Sequence, residues 1–85
     1  MVGRVRAGQR FRFEPCLLDQ GVLGKVPYGV ERGLLKRGDV VKVVALPGCP
    51  PPGTMRMCHI EKDGAFAGLV SLGSLQPLDA KTKNE

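Results

Sequence analysis

Hydrophobic and polar positions alternate, or run together, in a few short stretches separated by glycine and proline. In RVRAGQRFRFEP (4–15), Phe11 and Phe13 fall on one side and Arg10 and Arg12 on the other. A period of two over this length predicts a half-buried strand. Gly8 bends it or marks a bulge, and Pro15, which has no N–H, ends its pairing. VVKVVAL (40–46) is almost wholly β-branched and apolar, which predicts the central strand. It is entered through Lys36-Arg37-Gly38-Asp39, so the Arg-Gly-Asp triplet reads as part of a turn and not as an adhesion signal. TMRMCHIE (54–61) and AFAGLVS (65–71) flank Lys62-Asp63-Gly64, a hairpin turn of the Asp-Gly kind. LGSL (72–75) is too short for an α-helix and suits one 3-10 turn. QPL (76–78) adds a last short strand. DAKTKNE (79–85) is polar and lacks apolar anchors, so it reads as a disordered tail behind a single domain over 1–78.

Two stretches have no period. CLLDQGVLGKVPYGVERG (16–33) is punctuated by five glycines and prolines and reads as a long loop, or as two short irregular strands folded back on each other. Loops of this length often carry function; the alternative is a structural excursion packed by Leu17, Leu18, Val22 and Leu23. PGCPPPG (47–53) is stiffened by its prolines into a rigid connector. As a proline-motif ligand it lacks a flanking basic anchor. The expected core is Phe11, Phe13, Val41, Val43, either Ile60 or Met57, Phe66, Val70 and Leu75.

The order strand, long loop, strand, rigid loop, strand, tight hairpin, strand, 3-10 turn, strand resembles the Src-homology-3 (SH3) barrel. LLKRGDVVKVV (34–44) is similar to that family's hydrophobic–x–x–Lys–Gly–Asp–hydrophobic second strand. GLVSLGSLQPL (68–78) is similar to its closing segment. The resemblance implies an all-β, five-stranded SH3-like barrel with one 3-10 turn before the last strand, of a bacterial or phage type. Family members that bind proline-rich peptides carry aromatics in the groove, including a Pro and a Tyr in the closing segment and a Trp at the start of the third strand. Here those closing positions match Ser71 and Ser74, and the third strand begins Thr54-Met55-Arg56. Flat aromatic walls receive a polyproline helix, so the resemblance implies a kept barrel and a lost aromatic groove.

Charge adds a separate signal. The net charge is +5, and residues 1–13 hold Arg4, Arg6, Arg10 and Arg12 with no acid, against nine basic and eight acidic residues in the remainder. Even spacing would put all four on one face of an unbroken strand, with Lys42 and Arg56 extending the patch. Clustered cations of this kind attract anionic partners and contact phosphate without regard to sequence. No glycine-rich KOW-type signature accompanies them.

Catalysis and metal binding find little support. Cys16, Cys49, Cys58 and His59 include no CxxC pair, and Cys58 and His59 are adjacent, so on a strand they point to opposite faces. His59 is the only histidine, and no third residue orients it. The small plasmid-encoded dihydrofolate reductases share the barrel, but their Val–Gln–hydrophobic–Tyr segment is missing from Ala65–Val70. The expectation is no enzyme, no cofactor and no metal. Three cysteines, an odd number, point to a reducing compartment, read as a cytoplasm, and no apolar run has membrane-spanning length. The expected role is a binding or adaptor module whose basic face recruits nucleic acid or an acidic protein surface. The alternative is a protein-interaction or oligomerisation subunit of a larger complex, pairing with itself or another protein through the 16–33 loop or an open barrel edge.

Overall fold

The computed structural model describes residues 5–22 and 24–78. Five strands form one antiparallel sheet: β1 (Arg10–Phe13), β2 (Val40–Val44), β3 (Met57–Lys62), β4 (Ala65–Ser71) and β5 (Leu75–Pro77). Their spatial order is β4-β3-β2-β1-β5, so β2 is central, as its β-branched run predicts. Helical structure among the described residues is limited to α1 (Tyr28–Glu31) and to 3-10 turns at Leu17–Gln20, Thr54–Arg56 and Leu72–Ser74. The domain is all-β, the turn before β5 is present, and the order is compatible with an SH3-like fold. The tail 79–85, read as disordered, lies outside the described residues.

Local chemistry sets most of the boundaries. Asp63 and Gly64 both have positive φ (53° and 83°), the conformation that a two-residue hairpin between twisted strands demands. Gly8 (φ 94°) turns the chain where β1 begins, and its N–H still reaches Val43 O at 2.7 Å. The first strand is therefore shorter than its alternating pattern. β3 begins at Met57 and not at Thr54, because Met55 and Arg56 adopt left-handed φ values of 56° and 62°. Among its described residues the 16–33 segment contains no strand pair. Leu17, Leu18 and Val22 are exposed, so they do not pack it down, and Leu23 lies outside the described residues.

The core holds Phe11, Phe13, Val41, Val43, Ile60, Val70 and Leu75, with Val5, Leu35, Cys58, Ala67 and Leu72 added. Ile60, and not Met57, fills the β3 position. Phe66 is the exception to the expected list: it is 43% exposed. The cause is a register shift between Ile60 and Glu61 that pairs Phe66 with Glu61 and breaks strict alternation along β4. Ala67 takes the buried place, because a bulge re-aims the side chains beside it.

Two devices tie the long loops to the sheet. The first is an interlock of glycines between α1 and β4. A Cβ on Gly68 would lie 2.7 Å from Tyr28 N, and one on Gly29 would lie 2.7 Å from Ala67 O. Only backbone without a side chain permits this approach. The second is Asp39. Its Oδ2 accepts Lys36 N–H at 2.8 Å within the turn before β2, and Lys62 Nζ lies 2.8 Å away at the β3–β4 hairpin. Lys62 Nζ also donates to Leu34 O at 3.2 Å.

The Asp39–Lys62 pair predicts a pH profile. Burial raises the Asp39 carboxyl, but the hydrogen bonds from Lys62 and Lys36 and their charges outweigh it, leaving it below its ordinary 3.8. The same hydrogen bond, against some desolvation, holds Lys62 above its ordinary 10.5. A depressed acid stabilises the fold above its unfolded value and loses this as pH falls through the folded one; a raised base stabilises below its unfolded value and loses this as pH rises through the folded one. The contribution is therefore present in full between 3.8 and 10.5. Asp39→Asn should lower stability across that plateau and flatten both flanks, measured by urea unfolding at a series of pH values. An unchanged profile would show that the pair is too screened to matter.

Candidate functional site

The described residues form an open groove of about 810 Å³. One wall is the 16–28 loop, contributing Leu18, Lys25, Val26, Pro27 and Tyr28. The other is the outer side of β3 and β4 with the turn before them: Met55, Arg56, Met57, His59, Phe66 and Leu69. Ser71, Leu72 and Gly73 close one end.

A row of rings crosses the groove wall. Tyr28 and Phe66 have centroids 6.0 Å apart, His59 lies 5.8 Å from Phe66, and the Arg32 guanidinium sits 5.5 Å above the Tyr28 ring. The bulge that exposes Phe66 is what adds it to this row. At the rim, Met55 is 86% exposed. It and Arg56 are consecutive left-handed residues that are not glycine, a strained arrangement of the kind that gathers at functional sites. These exposed apolar groups gather in one concave patch.

The groove floor explains Ser71 and Ser74, the two residues that stand where a proline-binding groove would carry Pro and Tyr. Both are buried, and both turn inward to Asp19, which is only 5% exposed. Ser71 N–H donates to Asp19 Oδ2 at 3.0 Å, and Ser71 Oγ lies 3.4 Å from Oδ1. Ser74 O–H donates to Oδ2, while Ser74 Oγ accepts Cys16 N–H at 3.0 Å. A buried carboxylate without hydrogen bonds would be costly; here the hydrogen bonds fix the start of the long loop against the 3-10 turn. Where the resemblance implied a lost groove, a groove is present, walled by aliphatic side chains and by Tyr28 and Phe66.

The thiols differ in character. Burial, reinforced by the charge of Asp19, pushes Cys58 up to about 11, which leaves it a poor nucleophile. At Cys16 burial acts upward too, but hydrogen bonds with Ser74 and the backbone of Asp19 and Leu18 win, and the net shift is down. Cys49 is exposed. Among the described residues no three His, Cys, Asp or Glu side chains are grouped to hold a metal ion, and no helix is long and apolar enough to cross a membrane.

The structure describes five of the six cations singled out from the sequence. Arg4 lies outside the described residues. Arg6 is exposed ahead of β1. Arg10 stands directly opposite Lys42 in the β1–β2 register, beside a shallow depression that also includes Glu61 and Asp63. Arg12 is paired with Glu14 at 3.0 Å, and Glu14 also holds Arg37 at 2.9 Å. Lys42 is paired with Glu61 at 3.4 Å. Arg56 faces the apolar groove, from a turn and not from a strand. The acids that neutralise Arg12 and Lys42 come from two and nineteen residues further along the chain, respectively.

No family model, curated protein or solved structure matches this chain.

Proposed function

We propose that the chain is a non-enzymatic protein-interaction module, an SH3-like barrel that takes a segment of a partner protein in the groove between the 16–28 loop and β3–β4. The single observation that carries this reading is the groove itself, about 810 Å³ and open along one side, with Tyr28, Met55, Phe66 and Leu69 all more than 40% exposed. Such a cleft has the size and apolar lining of a ligand site, and nothing in the core requires those side chains to be outside. The unpaired thiols suit a cytoplasmic setting, bacterial or phage.

Phe66→Ser with Leu69→Ser is the test. Both positions lie outside the buried core, so the fold should survive the change at a cost of about 1–2 kcal/mol from lost ring contacts and strand propensity. Binding to peptides selected from a random displayed library should be lost. Peptides that bind the double variant as well as the parent would remove the groove from the account. A concentration-dependent dimer in light scattering, abolished by the same variant, would instead assign the groove to a second copy.

A second reading keeps the anionic partner at the β1–β2 face, and the observation that favours it is Arg10 standing opposite Lys42. On this reading DNA or RNA binding should fall steeply between about 50 and 200 mM salt and disappear in Arg6→Ala with Arg10→Ala. Salt-insensitive binding, or binding that survives the substitutions, would sink it.

A further inference from the structure

We infer, building on the groove as the binding site, that its occupant is a short peptide segment in which acidic residues accompany apolar ones. Charge complementarity carries the inference. Arg12, Arg37, Lys42 and Lys62 each have an acid within 4.0 Å. The two cations of the groove, Lys25 on the loop wall and Arg56 at the entry to β3, have no such partner among the described residues. These two cations stand open on the two walls of the groove, one on each.

The carboxylate that lines the groove does not offset them. Asp19 is almost wholly buried, and its oxygens are taken up by Ser71 and Ser74. An acidic segment would meet two open cations and no exposed acid, with its apolar residues against Tyr28, Phe66 and Leu69. A basic segment would meet the same two cations as repulsion, a penalty that steers partner choice. Arg32 above the Tyr28 ring adds a third positive group beside the row of rings.

Nucleic acid is the other anionic class, and the groove suits it less well. Tight phosphate binding draws on many cations at once, whereas this site offers two on mainly aliphatic walls. Single-strand binders present aromatic platforms to successive bases; here Met55, Met57, Leu69 and Leu18 share the lining with the few rings.

The experiment is a selection of random twelve-residue displayed peptides on the full chain, repeated on Lys25→Glu with Arg56→Glu and on Phe66→Ser with Leu69→Ser. The parent should enrich peptides rich in Asp or Glu together with Leu, Ile or Phe. Synthetic peptides from that pool should bind the charge-reversed variant about tenfold more weakly or worse, and selection on that variant should lose the acidic bias. A parent pool that is neutral or basic, or acidic peptides that bind the charge-reversed variant equally well, would overturn the acidic occupant while leaving the groove in place if Phe66→Ser with Leu69→Ser still abolishes binding. No enrichment on the parent, or binding indifferent to both pairs of substitutions, would overturn the groove as well. A twelve-nucleotide single strand that outcompetes the peptides, and is lost on charge reversal, would replace peptide by nucleic acid.

Discussion

Gly68→Ala is expected to destabilise the fold by about 2–4 kcal/mol, combining left-handed strain with overpacking. Gly68 has φ 113°, and its added methyl would lie 2.7 Å from Tyr28 N and 3.1 Å from Tyr28 Cβ. A backbone nitrogen cannot rotate out of the way as a side-chain tip can. Relief requires α1 to lift from β4, which would carry Tyr28 and Pro27 away from the groove. The matched control is Gly64→Ala. Gly64 also has positive φ, 83°, but nothing lies within 4 Å of its Cβ position, so only the conformational cost of about 1 kcal/mol applies. A domain of this size is stable by only about 4–13 kcal/mol, and each kcal/mol moves its melting temperature by about 4–8 °C. Urea unfolding of the two variants side by side reads the difference. Equal losses at Gly64 and Gly68 would rule out the close approach of α1.

Asp19→Ala should cost about 3 kcal/mol or more, because it strands several buried donors at about 1–3 kcal/mol each. Ser71 N–H, Ser71 O–H and Ser74 O–H all lose their acceptor. Asp19→Asn should recover only part of the loss, since its amide NH₂ would face a donor. Ser74→Ala alone should also destabilise, and the double variant should fall well short of the sum, because the two side chains act in one network. Strict additivity would mean that the network contributes nothing as a unit. A second readout separates charge from shape. Burial is the larger cause of the raised Cys58 thiol and the Asp19 charge the smaller. Removing that charge should lower the Cys58 titration from about 11 while leaving it above its ordinary 9.0.

What was legible in the sequence was local. The β4 strand at Ala65–Ser71, the Asp63-Gly64 turn and the 3-10 turn at Leu72–Ser74 all follow from alternation and turn chemistry within a few residues. Phe66 was misplaced because a bulge changes side-chain parity without leaving any mark in the spacing of apolar residues. The four residues of α1 are too few to show a helical period, and their anchor is a pair of glycines, Gly29 reading in sequence as loop punctuation and Gly68 as an ordinary strand position. The acidic neighbours of Arg12 and Lys42 were not legible, because Glu61, which pairs with Lys42, is remote in the chain, and because the role of Glu14 between Arg12 and Arg37 depends on how the 36–39 turn folds. The groove was hidden for the same reason: its walls come from segments about thirty to forty residues apart. One clue was available. An aspartate in an apolar loop, with two serines where the resemblance calls for Pro and Tyr, is a hydrogen-bonding set in search of its geometry.

The position of β4 in the sheet has a last consequence. It is a terminal strand, seven residues long, with the sequence AFAGLVS and no charge or proline. Free edges of that composition invite another chain to add itself, and proteins commonly block them with a covering helix or loop. Here α1 packs closely against β4 at Gly68. Loss of its seat would therefore change the colloidal behaviour of the protein as well as its stability, giving intermolecular β-assembly and precipitation below the unfolding temperature.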